Sequence, residues 1–220
     1  MEYLVSMTTH VPDGTAQQAV DEVRAREAAR TGELAAQRHV LRLWRPPLAP
    51  GEWRTLGLFA AADAGQLEKV LASMPLRVWR TDEVTPLAGH PNDPPAGLQA
   101  ASTPQSSTGQ SSTGQSSTGQ SSTGGPEFFT WFTSEIPDDA PEQDVDAAEA
   151  GEARRTRELA GQGHLVRLWR LPDGRALGLW RAADEAEMQT ILDSLPLNRW
   201  LSTVVTPLTA HPSDPGVSRQ

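Results

Sequence analysis

Two glutamates, Glu27 and Glu152, stand where acid–base chemistry could begin. Each interrupts an otherwise apolar helical stripe: Val20, Val23, Glu27, Thr31 and Leu34 in one segment, Val145, Ala148, Glu152, Thr156 and Leu159 in another. A carboxylate on the core side of a helix is costly unless something compensates it. An apolar surrounding would raise its pKa and suit it to act as a general base. A salt bridge to a strand arginine, or a place at the edge of the stripe, is the structural alternative. The cations that could serve lie in HVLRLWR (residues 39–45) and HLVRLWR (residues 164–170). A strand period of two puts Val40, Arg42 and Trp44 on one face and His39, Leu41, Leu43 and Arg45 on the other, with Leu165, Arg167 and Trp169 set against His164, Val166, Leu168 and Arg170. Arginine beside tryptophan suits an anionic, planar ligand, the guanidinium taking a carboxylate and the indole forming an apolar wall. An arginine stacked on tryptophan in solvent fits the pattern equally. Arg45 and Arg170 end their strands at the sheet edge.

Histidine adds further candidates. His39 and His164 precede the arginine strands at a helix–strand corner, as proton donors or as capping and packing residues. His90 and His211 stand in HPND and HPSD segments that read as turns tucking a tail onto a neighbour, with catalysis the lesser reading. There is no HExxH spacing, no cysteine and no glycine-rich phosphate loop, so neither a metal nor a cofactor is expected.

The elements that must position these residues occur twice. Residues 39–45 match 164–170 at an offset of 125, and residues 84–94 (VTPLAGHPNDP) match 205–215 (VTPLTAHPSDP) at an offset of 121. The missing four residues fall between two strands, where PPLAPGEW becomes the shorter LPDGR turn. In each copy the pattern predicts a strand (residues 3–10 and 128–135) and a long Ala/Glu/Arg/Leu helix (17–37 and 143–162). Two strands follow, then a short helix capped by Asp63 or Asp184 and stopped at Pro75 or Pro196, and a last strand near 78–86 or 200–207. This order, β-α-β-β-α-β, is the ferredoxin-like α+β motif, with both helices on one face of a four-stranded antiparallel sheet. The bare faces of two such sheets should pack together as a dimeric α+β barrel within one chain, an intrachain pseudo-dimer enclosing a shared apolar chamber that both glutamates reach.

The domain reading is copy 1 over residues 1–95, a tether over 96–125, copy 2 over 126–215 and a tail over 216–220. The SSTGQ repeats of the tether contain no apolar residue that could offset ordering entropy, and their regularity suggests an engineered joint. A net charge of −9 argues against nucleic acid or an anionic membrane as partner. The absence of cysteine, of a long apolar run and of a signal-like N-terminus points to a soluble, cytoplasmic protein.

At the Pro-Asp turn after the first strand, the helix with Glu27 or Glu152, the RLWR strands, the MPL and LPL helix stops and the HPxDP close, the chain resembles the muconolactone Δ-isomerase family. The resemblance covers nearly all of each copy. It implies a ferredoxin-like subunit that pairs through its sheet, often in larger rings, and a cofactor-free proton shift in an unsaturated lactone carboxylate. It would make Glu27 or Glu152 the base, and Arg42 or Arg167 the ligand of substrate carboxylate and developing enolate. Family members carry a basic residue in the first strand; here that strand reads Leu4-Val5-Ser6-Met7 in one copy and Phe129-Thr130-Trp131-Phe132 in the other. The departure points to a more apolar and asymmetric cavity, with Trp131 in its wall, and to isomerisation or cyclisation of a bulkier, polyketide-like small molecule. A non-catalytic small-molecule binding protein and a structural assembly module are the competing classes, and further homo-oligomerisation is open.

Overall fold

The computed structural model describes residues 1–95 and 125–216. The tether expected over 96–125 lies outside the described residues but for Gly125, as does the expected tail beyond Gly216. In chain order the elements are β1 (Glu2–Thr9), α1 (Gln17–Ala36), β2 (Val40–Arg45), β3 (Arg54–Ala60), α2 (Ala64–Ala72) and β4 (Arg80–Gly89). The second half repeats them as β5 (Glu127–Ser134), α3 (Glu142–Gly161), β6 (Leu165–Arg170), β7 (Ala176–Arg181), α4 (Glu185–Asp193) and β8 (Leu201–Ala210). Asp63 and Asp184 cap the short helices as their positions predict, accepting the amides of Gln66 at 2.7 Å and Glu187 at 2.8 Å. The last strands start slightly later than the pattern suggests. After Pro75 the chain first makes a 3₁₀ turn, Pro75–Trp79, and a shorter one, Asn198–Trp200, forms in the second half.

Within each half the first strand lies between the third and fourth, all antiparallel. The halves join at two short seams, Trp44 and Arg45 of β2 against β8, and Ala88 and Gly89 of β4 against β6. These close one eight-stranded barrel in the order β1-β3-β2-β8-β5-β7-β6-β4. The α+β, ferredoxin-like reading therefore holds, and the sheets meet face to face.

The barrel interior is not the open chamber that the sequence suggests. Trp44, Phe129, Trp169, Leu177 and Leu179 fill its middle. Indole and phenyl groups so completely withdrawn from water stabilise by about 2–3 kcal/mol each. A cavity of about 280 Å³ persists towards one end, walled by Leu4, Leu56, Trp131 and Thr206. Two further cores lie on the outer faces, beneath the helices: one built on Tyr3, Val5, Leu34, Val40 and Phe59, the other on Phe128, Leu159, Leu165 and Trp180. A side chain at Gly178 would collide with Trp180 and Thr130, so glycine there lets the Trp180 ring lie across its own strand and donate to the Thr130 hydroxyl at 2.7 Å.

The face assignment of the arginine strand also needs correction. The pairing of β2 with β3 slips between Val40 and Arg42, and that of β6 with β7 between Leu165 and Arg167. A bulge inserts one residue and reverses the parity. Val40 and Leu165 therefore join Leu43 and Leu168 beneath the helices, while Trp44 and Trp169 point into the barrel.

Candidate functional site

Each long helix turns its glutamate towards its own sheet's outer core. Glu27 and Glu152 are 9% and 8% exposed. Each is met by a backbone amide that has no partner within its turn: Leu76 N–H donates to Glu27 Oε2 at 2.8 Å, and Leu197 N–H to Glu152 Oε2 at 3.1 Å. The MPL and LPL segments thus have a local purpose, since proline stops the helix and frees the next amide. In the first half Arg80 adds a second partner, its Nη1 lying 3.1 Å from Glu27 Oε1. Arg80 is itself held by Asp82 at 2.6 Å, and Asp82 also pairs with Arg77. The second half has Leu201 and Thr203 at the matching positions, and Glu152 has no cationic partner among the described residues. Burial is the main force on both carboxyls and pushes both pKa values up. The Leu76 amide and Arg80 oppose it at Glu27, and the Leu197 amide alone at Glu152.

Both glutamates open onto cavities between helix and sheet, about 370 Å³ at Glu27 and about 330 Å³ at Glu152. Thr31, Leu43 and Arg45 line the first; Thr156, Leu168 and Arg170 line the second. Each cavity is finished by the opposite half. His211, Pro212 and Ser213 reach the Glu27 cavity, and His90, Pro91 and Asn92 the Glu152 cavity. The His211 amide donates to the Leu43 carbonyl at 3.0 Å, extending the β2–β8 seam.

The two histidines arrive neutral and with one tautomer selected. Ser213 N–H donates to His211 Nδ1 and Asn92 N–H to His90 Nδ1, both at 3.1 Å, which leaves the proton on Nε2. Burial, with Arg45 and then Arg24 in support, pushes His211 down to about 4 against the opposing pull of Asp214. Burial and Arg170 also lower His90, against Asp93.

The other residues singled out from sequence fall elsewhere. Arg42 and Arg167 line neither glutamate cavity. Arg42 binds Glu127 through both terminal nitrogens (2.6 and 3.1 Å) and reaches Asp214 at 3.1 Å, while Trp44 Nε1 donates to the same Glu127 at 2.6 Å. The mirrored set joins Arg167 to Glu2 (2.8 and 3.0 Å) and Asp93 (3.3 Å), with Trp169 Nε1 on Glu2 at 2.7 Å. Each cluster takes its cation and indole from one half and its carboxylates from the other, so RLWR, the first-strand glutamate and the aspartate of HPxDP clamp the halves together. The guanidiniums also lie over their indoles, at 4.9 and 4.8 Å. His39 and His164 point Nδ1 at the carbonyls of Ala60 (3.0 Å) and Arg181 (2.9 Å), pinning the helix–strand corner and lining neither cavity. Trp131 lies in the third cavity, between the sheets. Of the residues named in advance, the structure therefore groups Glu27 with Arg45 and Glu152 with Arg170. Arg80 was not singled out in advance, and His90 and His211, read chiefly as turn residues, also line these cavities. The one available signal was the recurrence of HPxDP, which shows that the segment matters without showing which half it serves.

Comparison with known proteins agrees with the repeat. The family model described as muconolactone delta-isomerase matches twice, over residues 1–93 and 127–214. The chain belongs to the muconolactone delta-isomerase family. Muconolactone Delta-isomerase 1 of Acinetobacter lwoffii is 30% identical over 92 residues, which is 42% of this chain and 93% of that protein. Muconolactone Delta-isomerase of Cupriavidus pinatubonensis is likewise 30% identical over 92 residues, covering 42% of this chain and 97% of the relative. This member of the family thus carries twice the matched unit of those relatives. Solved structures that resemble the whole barrel include a heme-binding protein from Thermus thermophilus (TM-score 0.57, 11% identity, 97% of this chain and 93% of that one). A chlorite dismutase from Candidatus Nitrospira defluvii is also similar (TM-score 0.54, 10% identity, 94% and 91%). At such identities the likeness is one of fold alone. Among the described residues no helix is long and apolar enough to cross a membrane, and no cluster of three or more His, Asp or Glu could hold a metal.

Proposed function

We propose that the protein is a cofactor-independent isomerase or cyclase that shifts a proton within an unsaturated lactone, carboxylate or polyketide-like substrate, working as a covalent pseudo-dimer. One observation carries this reading: in both halves a buried helix carboxylate with a raised pKa shares a cavity with a strand-end arginine and a neutral histidine from the opposite half. Glu27 or Glu152 removes a proton from the carbon next to a carbonyl, leaving an enolate. Arg45 or Arg170, with the Nε2–H of His211 or His90, stabilises the charge on the enolate oxygen. The protonated glutamate returns the proton to a different carbon of the conjugated system, and the double bond moves. One C–H bond breaks, one forms, and no electrons enter or leave. A neutral imidazole suits the donor role because it polarises an oxygen without surrendering its proton.

The test is turnover of muconolactone, followed by uptake of solvent deuterium. Glu27→Gln with Glu152→Gln should lower kcat by about 100-fold or more and remove the acidic inflection of the rate–pH profile, with Tm unchanged or higher. A loss smaller than about tenfold in the folded double variant removes the base assignment.

A further inference from the structure

We infer that the two cavities are selective for different ligands: the Glu27 cavity for one carrying a carboxylate, the Glu152 cavity for an uncharged, more apolar one. The inference rests on the proposed reading that both cavities bind small unsaturated carbonyl compounds. It follows from exchanges between matching positions. Arg24 at the first cavity is answered by Glu149 at the second, and Arg80 by Leu201. The first cavity thus holds three arginines against the carboxylates of Asp21 and Glu27; the second holds Arg170 against Glu149 and Glu152.

Availability matters more than number. Arg80 is engaged by Glu27 and Asp82. Arg24 lies over the Trp53 ring at 5.3 Å and, like Arg45, has no carboxylate partner among the described residues. Both act on His211 across the cavity, so they share one electropositive region. An anion entering there meets two guanidiniums that no carboxylate of the described residues engages. In the second cavity an anion would meet Arg170 but also two carboxylates, and like charges repel. Phe132, Trp180, Leu195 and Leu201 line that cavity, where the first has Met7, Met74 and Arg80. Apolar lining is otherwise comparable, the first cavity having Trp53 and Leu76, so a neutral ligand favours the second because Leu201 stands there in place of Arg80. A chain with two independently varied copies can hold both sites at once, which a symmetric pair of identical subunits cannot do.

A matched pair of probes isolates the charge: muconolactone and its methyl ester. Trp53 lines the first cavity and Trp180 the second, so their indole N–H signals in nuclear magnetic resonance spectra report the two occupancies separately in the unmodified protein. The acid should move the Trp53 signal at a concentration about tenfold below that needed for Trp180, and the ester should reverse the order. Arg24→Glu should remove the preference of the first cavity for the acid. Identical order for the two probes, coincident movement of both signals, or no movement with either probe overturns the inference. Turnover is a separate readout: ordered titrations without turnover would sink the isomerase reading alone, and turnover with identical order would sink the selectivity alone.

Discussion

In the first half Glu27 faces Arg80, and Arg80 is held in turn by Asp82. In the second half those positions are Leu201 and Thr203, and among the described residues Glu152 keeps only the Leu197 amide. Backbone, helix and proline stop are the same in both. The difference teaches that the buried carboxyl meets a backbone amide and has a raised pKa in both halves, while the ion-pair chain is an addition that one half has and the other does without. The inter-half clamps show the opposite behaviour. Arg42 with Glu127 and Asp214, and Arg167 with Glu2 and Asp93, repeat each other partner for partner. Where the halves hold together the copies agree; where they line the cavities between helix and sheet they have diverged.

The largest expected effect comes from forcing one half to imitate the other by a single step. Arg80→Leu should destabilise the protein by about 3 kcal/mol in urea unfolding, because it leaves Glu27 and Asp82 buried without that cation. Adding Asp82→Thr reproduces the arrangement of the second half and should recover at least half of the loss. If the double variant is no more stable than the single one, the two solutions are not interchangeable.

Next come the clamps. The Asp214 side chain is fully enclosed while that of Asp93 is 19% exposed. Asp214→Ala should therefore cost about 2–3 kcal/mol and Asp93→Ala about 1 kcal/mol, measured in the same way. Equal losses would mean that burial does not distinguish the seams.

A smaller effect is expected from the histidines. His211 has a folded pKa of about 4 against an ordinary 6.5, so between those values the unfolded chain binds the extra proton more readily. Its contribution is complete above pH 6.5 and is lost as pH falls towards 4; His211→Gln should flatten the stability–pH curve in that window. The smallest effect is Arg24→Glu, which gives the first cavity the residue of the second. It should raise the His211 pKa, read from its imidazole resonances, without measurable loss of stability.

Much of this architecture was legible in the chain itself. The repeat shows as a self-match at offsets of 125 and 121, and the element order, the Asp63 and Asp184 caps, the stops at Pro75 and Pro196 and the misplaced glutamates depend on residues a few positions apart, where helix and strand periods act. The site was only half legible. Glu27 and Glu152 stood out because they break a local period, whereas Arg45 and Arg170 were read only as strand ends at the sheet edge, and their place in the glutamate cavities was not legible. Val40 was misread because a bulge between Val40 and Arg42 turns it to the face of Leu43 and away from that of Trp44, and a bulge is fixed by pairing with a neighbouring strand.

Tertiary structure alone decided the rest. It brought Arg42 to Asp214, 172 residues away in sequence, and His211 over the Glu27 cavity. It set Arg80 in an ion pair with one glutamate and, among the described residues, no cation in contact with the other, and it filled the barrel with indoles where an open chamber was expected. Sequence determined what each segment becomes, because local hydrogen bonding and side-chain period act within a few residues. Which segment meets which depended on two sheets closing on each other, and that closure is set by packing and charge pairing between residues that no local period connects.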